Sequence, residues 1–220
     1  VRNVKRADLL GRAASTLLAT RIWSRFMGLA ILILGLAVFL GVHVLVTCRA
    51  QRAGAIARMG EGKYKALFSF ASLIGIILIA FGFARYRATG WIDVWYPPAW
   101  TRHVTVALVW PAIICFYAAY SPGRIKAVLK HPMLVGVKLW ALAHLISNGD
   151  LGSIILFGSF LAWAVYDRIS LKRRADPGAP PIPVGGAKKD AIAVIGGTLI
   201  YLALGFWFHP YVIGVPVFGR

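Results

Sequence analysis

Residues 131–144 read His-Pro-Met-Leu-Val-Gly-Val-Lys-Leu-Trp-Ala-Leu-Ala-His, which sets two imidazoles and an ammonium group on one apolar stretch. Ionisable groups are costly in a membrane segment and mark functional sites there by default. The chain has five histidines: His43, His103, His131, His144 and His209. At about 100° per residue, His131 and Lys138 share one stripe of a helix, while Trp140 and His144 share another. His131 and His144 also lie about 20 Å apart along the axis at about 1.5 Å per residue. They cannot bind one metal ion together, so each needs a partner from another segment.

His43 and His144 are the two histidines most deeply set in apolar sequence. Two neutral imidazoles on facing helices would make a bis-histidine haem site of the kind that bundle cores host. The alternative is that each hydrogen-bonds a carbonyl across helices. His103, His131 and His209 fall near the ends of apolar stretches and read as wetted interface residues. Lys138 either snorkels toward the headgroups or meets an acidic group such as a cofactor propionate. Asp93, Asp150 and Asp167 lie at stretch ends, and Asp150 reads as a helix N-cap. Cys48 and Cys115 are isolated and read as small packing residues rather than a disulfide framework.

The elements that must position these groups are long and apolar. Of 220 residues, 59% are hydrophobic, and the mean hydropathy is +0.72; soluble domains run nearer 45–50% apolar. Six apolar stretches, 27–47, 66–84, 103–121, 132–147, 151–167 and 190–209, predict an all-α polytopic membrane bundle of about six transmembrane helices. The stretches 132–147 and 151–167 are the shortest, and form a tight hairpin over 132–167. Pro132 is placed to open a helix, and Asn148-Gly149 to close it with a left-handed cap. Pro97 and Pro98 forbid a regular helix in the aromatic loop Trp91–Trp100, which reads as an interfacial belt or a ligand-recognition loop.

A net charge of +18 does not imply nucleic-acid binding here, because the basic residues lie in short loops between apolar stretches. There they act as orientation signals and contact anionic headgroups. The stretches 49–65, 122–131 and 168–189 carry 5, 3 and 6 Lys/Arg, against 3 and 0 in 85–102 and 148–150. In a bacterial inner membrane the first set belongs in the cytoplasm. That topology puts His43 toward the cytoplasmic side and His144 toward the far side, so the two meet only if the fourth helix is displaced or re-entrant. Residues 1–26, with six Lys/Arg against Asp8, conflict with it. They read as a basic N-terminal extension that contributes nothing to the bundle, or as a surface helix. Residues 27–220 then form a single transmembrane domain, with a Pro/Gly-rich flexible loop at 175–189. There is no HExxH, GxSxG, phosphate loop or mid-span carboxylate, which leaves metalloprotease, serine-hydrolase, NTPase and proton-coupled transport readings without support.

Several runs carry a family resemblance: Gly41-Val42-His43-Val44, Met59-Gly60-Glu61-Gly62-Lys63-Tyr64-Lys65, Pro97-Pro98-Ala99-Trp100-Thr101-Arg102-His103, His131-Pro132-Met133-Leu134, Lys138 through His144, and Phe208-His209-Pro210-Tyr211. Over about 27–220 the chain resembles the NnrU family of bacterial membrane proteins. The resemblance implies a multi-pass inner-membrane protein associated with denitrification. A related 15-cis-zeta-carotene isomerase carries b-type haem, and its proposed axial histidines match His43 and His144. Its variable thiolate ligand matches Ala141, which departs from the pattern. The resemblance thus implies haem b held by His43 and His144, ring nitrogens about 4 Å apart across the iron, with isomerase or redox chemistry on a hydrophobic small molecule. The rival reading is a non-catalytic membrane subunit or assembly factor working with partner proteins. His131, Pro132 and Gly136 also resemble a motif of membrane methyltransferases that use S-adenosylmethionine, although basic Lys172-Arg173-Arg174 stands where acidic residues are expected.

Overall fold

The computed structural model describes residues 26–174 and 185–218. Its elements are α1 (Phe26–Thr47), α2 (Arg49–Met59), α3 (Glu61–Ala88), α4 (Thr101–Ala118), α5 (Arg124–Leu129), α6 (Pro132–Ser147), α7 (Leu151–Lys172) and α8 (Ala187–Ala203). A π-helical segment, Leu204–Ile213, continues α8. Five helical stretches are long and apolar enough to span a membrane: α1, α3, α4, α7 and α8 with its π-helical extension. The sixth expected span, α6, has 16 residues, short of the roughly 20 that a full crossing takes. The 175–189 loop is shorter than expected at its end, because residues 187–189 already belong to α8. Residues 175–184 of that loop, and residues 1–25, lie outside the described residues.

The described residues divide into two compact units, 26–94 with 150–156, and 95–149 with 157–174 and 185–218. In the first, α1 and α3 run antiparallel at close range because each presents glycines to the other. A Cβ on Gly28 would lie 2.6 Å from the Tyr86 nitrogen, one on Gly35 2.6 Å from that of Ile79, and one on Gly75 2.8 Å from that of Phe39, while one on Gly82 would strike the backbone of Leu32. Lipid gives apolar side chains no reason to prefer one another, so such close backbone approach is what holds two spans together. Gly82→Leu is expected to destabilise this pair by about 1–3 kcal/mol, the usual scale of overpacking, read as a lower unfolding temperature in detergent. Wild-type stability in that variant would refute the close-contact account.

Asp150 caps α7 as expected. Its Oδ1 accepts from the Ser153 amide at 2.9 Å, and its Oδ2 from the Ser153 hydroxyl at 2.6 Å. Arg87 approaches it at 3.5 Å and also lies 4.5 Å from the Trp91 ring. The Tyr86 hydroxyl accepts the Ile92 amide at 2.8 Å, and the Ile92 carbonyl accepts the Leu151 amide at 2.9 Å. This buried polar cluster ties the end of α3 to the start of α7. The stretch 49–65, read as a basic loop, is helical through α2 and the first turn of α3. Alanine and arginine are strong helix formers, and their propensity outweighs the signal of a charged connection.

In the second unit, α4 packs against both α6 and α8. A Cβ on Gly136 would meet the Phe116 ring at 2.7 Å and the Ala112 carbonyl at 2.9 Å, and one on Gly197 would meet the Ile114 Cα at 2.8 Å. The expected left-handed cap of α6 is absent: Asn148 is extended, at φ −126° and ψ 117°. Its amide nitrogen instead donates to the His144 carbonyl at 2.8 Å, so a side chain satisfies the helix end. Gly149 is required for another reason, since a Cβ there would strike the Trp95 carbonyl.

Candidate functional site

Within the second unit, α4, α6, α8 and the π-helical segment line a partly open cavity of about 580 Å³. Its walls are mainly apolar: Val109, Ile113, Phe116, Trp140, Ile200, Leu204 and Phe208. Two of its polar groups are already engaged. Thr105 donates to the Ala143 carbonyl at 2.7 Å, and the Tyr201 hydroxyl to the Val106 carbonyl at 3.1 Å. The remaining polar wall includes two imidazoles, His144 and His209.

His144 is held on three sides. Its Nδ1 lies 2.8 Å from the Trp140 carbonyl; a carbonyl only accepts, so Nδ1 carries the proton and Nε2 the lone pair. The ring lies 4.5 Å from Phe157 with the planes 27° apart and 5.4 Å from Trp140. Trp140 itself meets Phe157 and Phe160 edge-on, at 5.0 and 5.5 Å. Aromatic packing therefore fixes the χ angles of the imidazole. A carbonyl-tethered Nδ1 with Nε2 left as donor atom is the arrangement that orients histidine toward a metal.

His43, on α1 in the first unit, repeats this geometry. Its Nδ1 lies 2.7 Å from the Phe39 carbonyl, and its ring is 4.2 Å from Phe39 and 5.1 Å from Phe68. Each histidine thus bonds a carbonyl of its own helix, four residues back. They belong to different units. His103 is exposed; Lys138 is half-buried and does not line the cavity. His131 sits at the N-cap of α6. Its burial, together with Arg168 and Lys130, lowers its pKa, opposed by Asp167. The pattern of His131, Pro132 and Gly136 has a structural account: cap, first-turn proline and close contact with α4.

His209, near the end of a span as expected, is half-buried; its ring lies 6.3 Å from that of His144, and its Nδ1 is buried with no hydrogen-bond partner. The sequence signal was Pro210. Proline has no N–H to continue an α-helix, and the chain here widens into the π-helical turns that often mark functional sites. Cys48 is half-buried and Cys115 buried, both free thiols. Among the described residues no group of three or more His, Cys, Asp or Glu could hold a metal ion.

The family model described as NnrU protein matches residues 31–217. The chain belongs to the NnrU family. That match takes in both units and every histidine discussed. No curated protein and no solved structure matches the chain. For this NnrU-family chain the fold is accordingly an all-α, multi-pass membrane bundle.

Proposed function

We propose that this NnrU-family protein binds haem b in the cavity of the second unit, with His144 as an iron ligand, and carries isomerase or redox activity on a hydrophobic small molecule. The observation that carries this reading is the His144 imidazole, which lines an apolar cavity with Nδ1 tethered and Nε2 as lone-pair nitrogen. The residues fit the group. The walls are aromatic and aliphatic, as a macrocycle requires, and a cavity of about 580 Å³ falls within the roughly 300–1,000 Å³ of small-molecule and cofactor sites.

His144 would hold the iron, Trp140 and Phe157 would keep its ring oriented, and the apolar walls would exclude water. When bound, haem b supplies an iron centre that changes its electron count by one. His43 matches the second ligand of the related isomerase and has the same tethered tautomer. Lys138, expected to meet a propionate, does not line this cavity and is left out of the proposed site. The expected setting is the bacterial inner membrane, in connection with denitrification. A pyridine-haemochrome spectrum of the purified protein tests the reading. About one haem b per chain is expected; protein that stays haem-free after haem supplementation would overturn it and favour a non-catalytic membrane subunit.

A further inference from the structure

We propose that His209 is the second nitrogen ligand in the His144 cavity, so that the second unit supplies both axial imidazoles. This inference rests on the haem reading above and assigns the ligand opposite His144.

Three observations carry it. The rings of His144 and His209 are 6.3 Å apart, with planes 29° apart. Two metal–nitrogen bonds of about 2 Å each, with each ring centroid about 1 Å behind its nitrogen, span about 6 Å. The two ring centroids therefore stand at the separation that a metal held between two imidazole nitrogens needs. Second, the His209 Nδ1 is buried without a hydrogen-bond partner. Such an orphaned group in a native protein calls for an explanation, and a missing ion or ligand is a common one. Third, the backbone is built to bring this ring to the cavity. The π-helical segment includes His209 and Pro210, its end is turned by Gly214 at φ 77°, and the Val215 amide returns to the His209 carbonyl at 3.1 Å.

The other histidines of the second unit do not compete. His103 is exposed on the first turn of α4, and His131 is the N-cap at the opposite end of α6. His43 is the competing second ligand, and single substitutions separate the two.

The test uses the full chain, purified in detergent after haem supplementation, as wild type, His209→Ala and His43→Ala. The readouts are haem content and the spin state of the iron by optical and electron paramagnetic resonance spectra. The expected result is a low-spin, bis-imidazole spectrum in the wild type and in His43→Ala. His209→Ala should turn high-spin and lose haem at least ten-fold faster. Added imidazole should return His209→Ala to low spin by entering the vacated space, which a merely unfolded variant would not do. A low-spin spectrum unchanged in His209→Ala but lost in His43→Ala overturns this inference and leaves the haem reading intact. A wild type that takes up no haem overturns both.

Discussion

His144→Ala is expected to yield a protein that inserts and folds but retains no haem, with affinity lowered by at least about 100-fold. Removing even the outer-shell partner of a metal ligand costs about 10–100-fold, and here the ligand itself is deleted. The tether offers a graded companion. Trp140→Ala leaves the backbone carbonyl that holds Nδ1 but removes the ring packed between His144, Phe157 and Phe160. The imidazole then gains freedom about χ1 and χ2, and a loss of about 10-fold or more is expected. Haem titration of the apo-protein followed by absorption reads both. Equal haem affinity in wild type and His144→Ala would remove His144 from the site.

Asp150→Ala is expected to cost about 2–4 kcal/mol of stability without touching the cavity. Loss of an N-cap alone costs up to about 2 kcal/mol. Here the carboxylate also accepts the Ser153 hydroxyl and faces Arg87, which is only partly solvated, so the guanidinium would lose its counter-charge. Asp150→Asn keeps one acceptor for the Ser153 amide and should lose less. Thermal unfolding in detergent distinguishes them, and haem content per folded chain should stay near wild type in both. A variant as stable as wild type would show that solvent already screens the pair and that another group caps α7.

The sequence was sufficient wherever one residue's chemistry acts locally. Apolar runs of about membrane length specified helices, because lipid leaves the backbone no other partner. Pro132 opened α6, Pro97 and Pro98 kept their loop irregular, and Asp150 capped the helix that follows it, each through its own dihedral or hydrogen-bond preference. The resemblance carried by His43, the run to His144 and Phe208-His209-Pro210 named the family correctly.

What tertiary structure alone decided is which groups meet. Hydropathy gives every apolar face the same value and does not say which two faces touch. The glycine contacts of α1 with α3 and of α4 with α6 and α8 became visible only when the helices were placed together. The end of α6 depended on the same placement: Gly149 is needed against the Trp95 carbonyl, not for a left-handed turn. His209 is the sharpest case. In the sequence it is a histidine before a proline at the end of a span, and residues of that kind usually meet headgroups. Its position beside His144, 65 residues away, depends on how α6, α8 and the π-helical turns pack around α4. No local propensity encodes a contact made at that sequence separation.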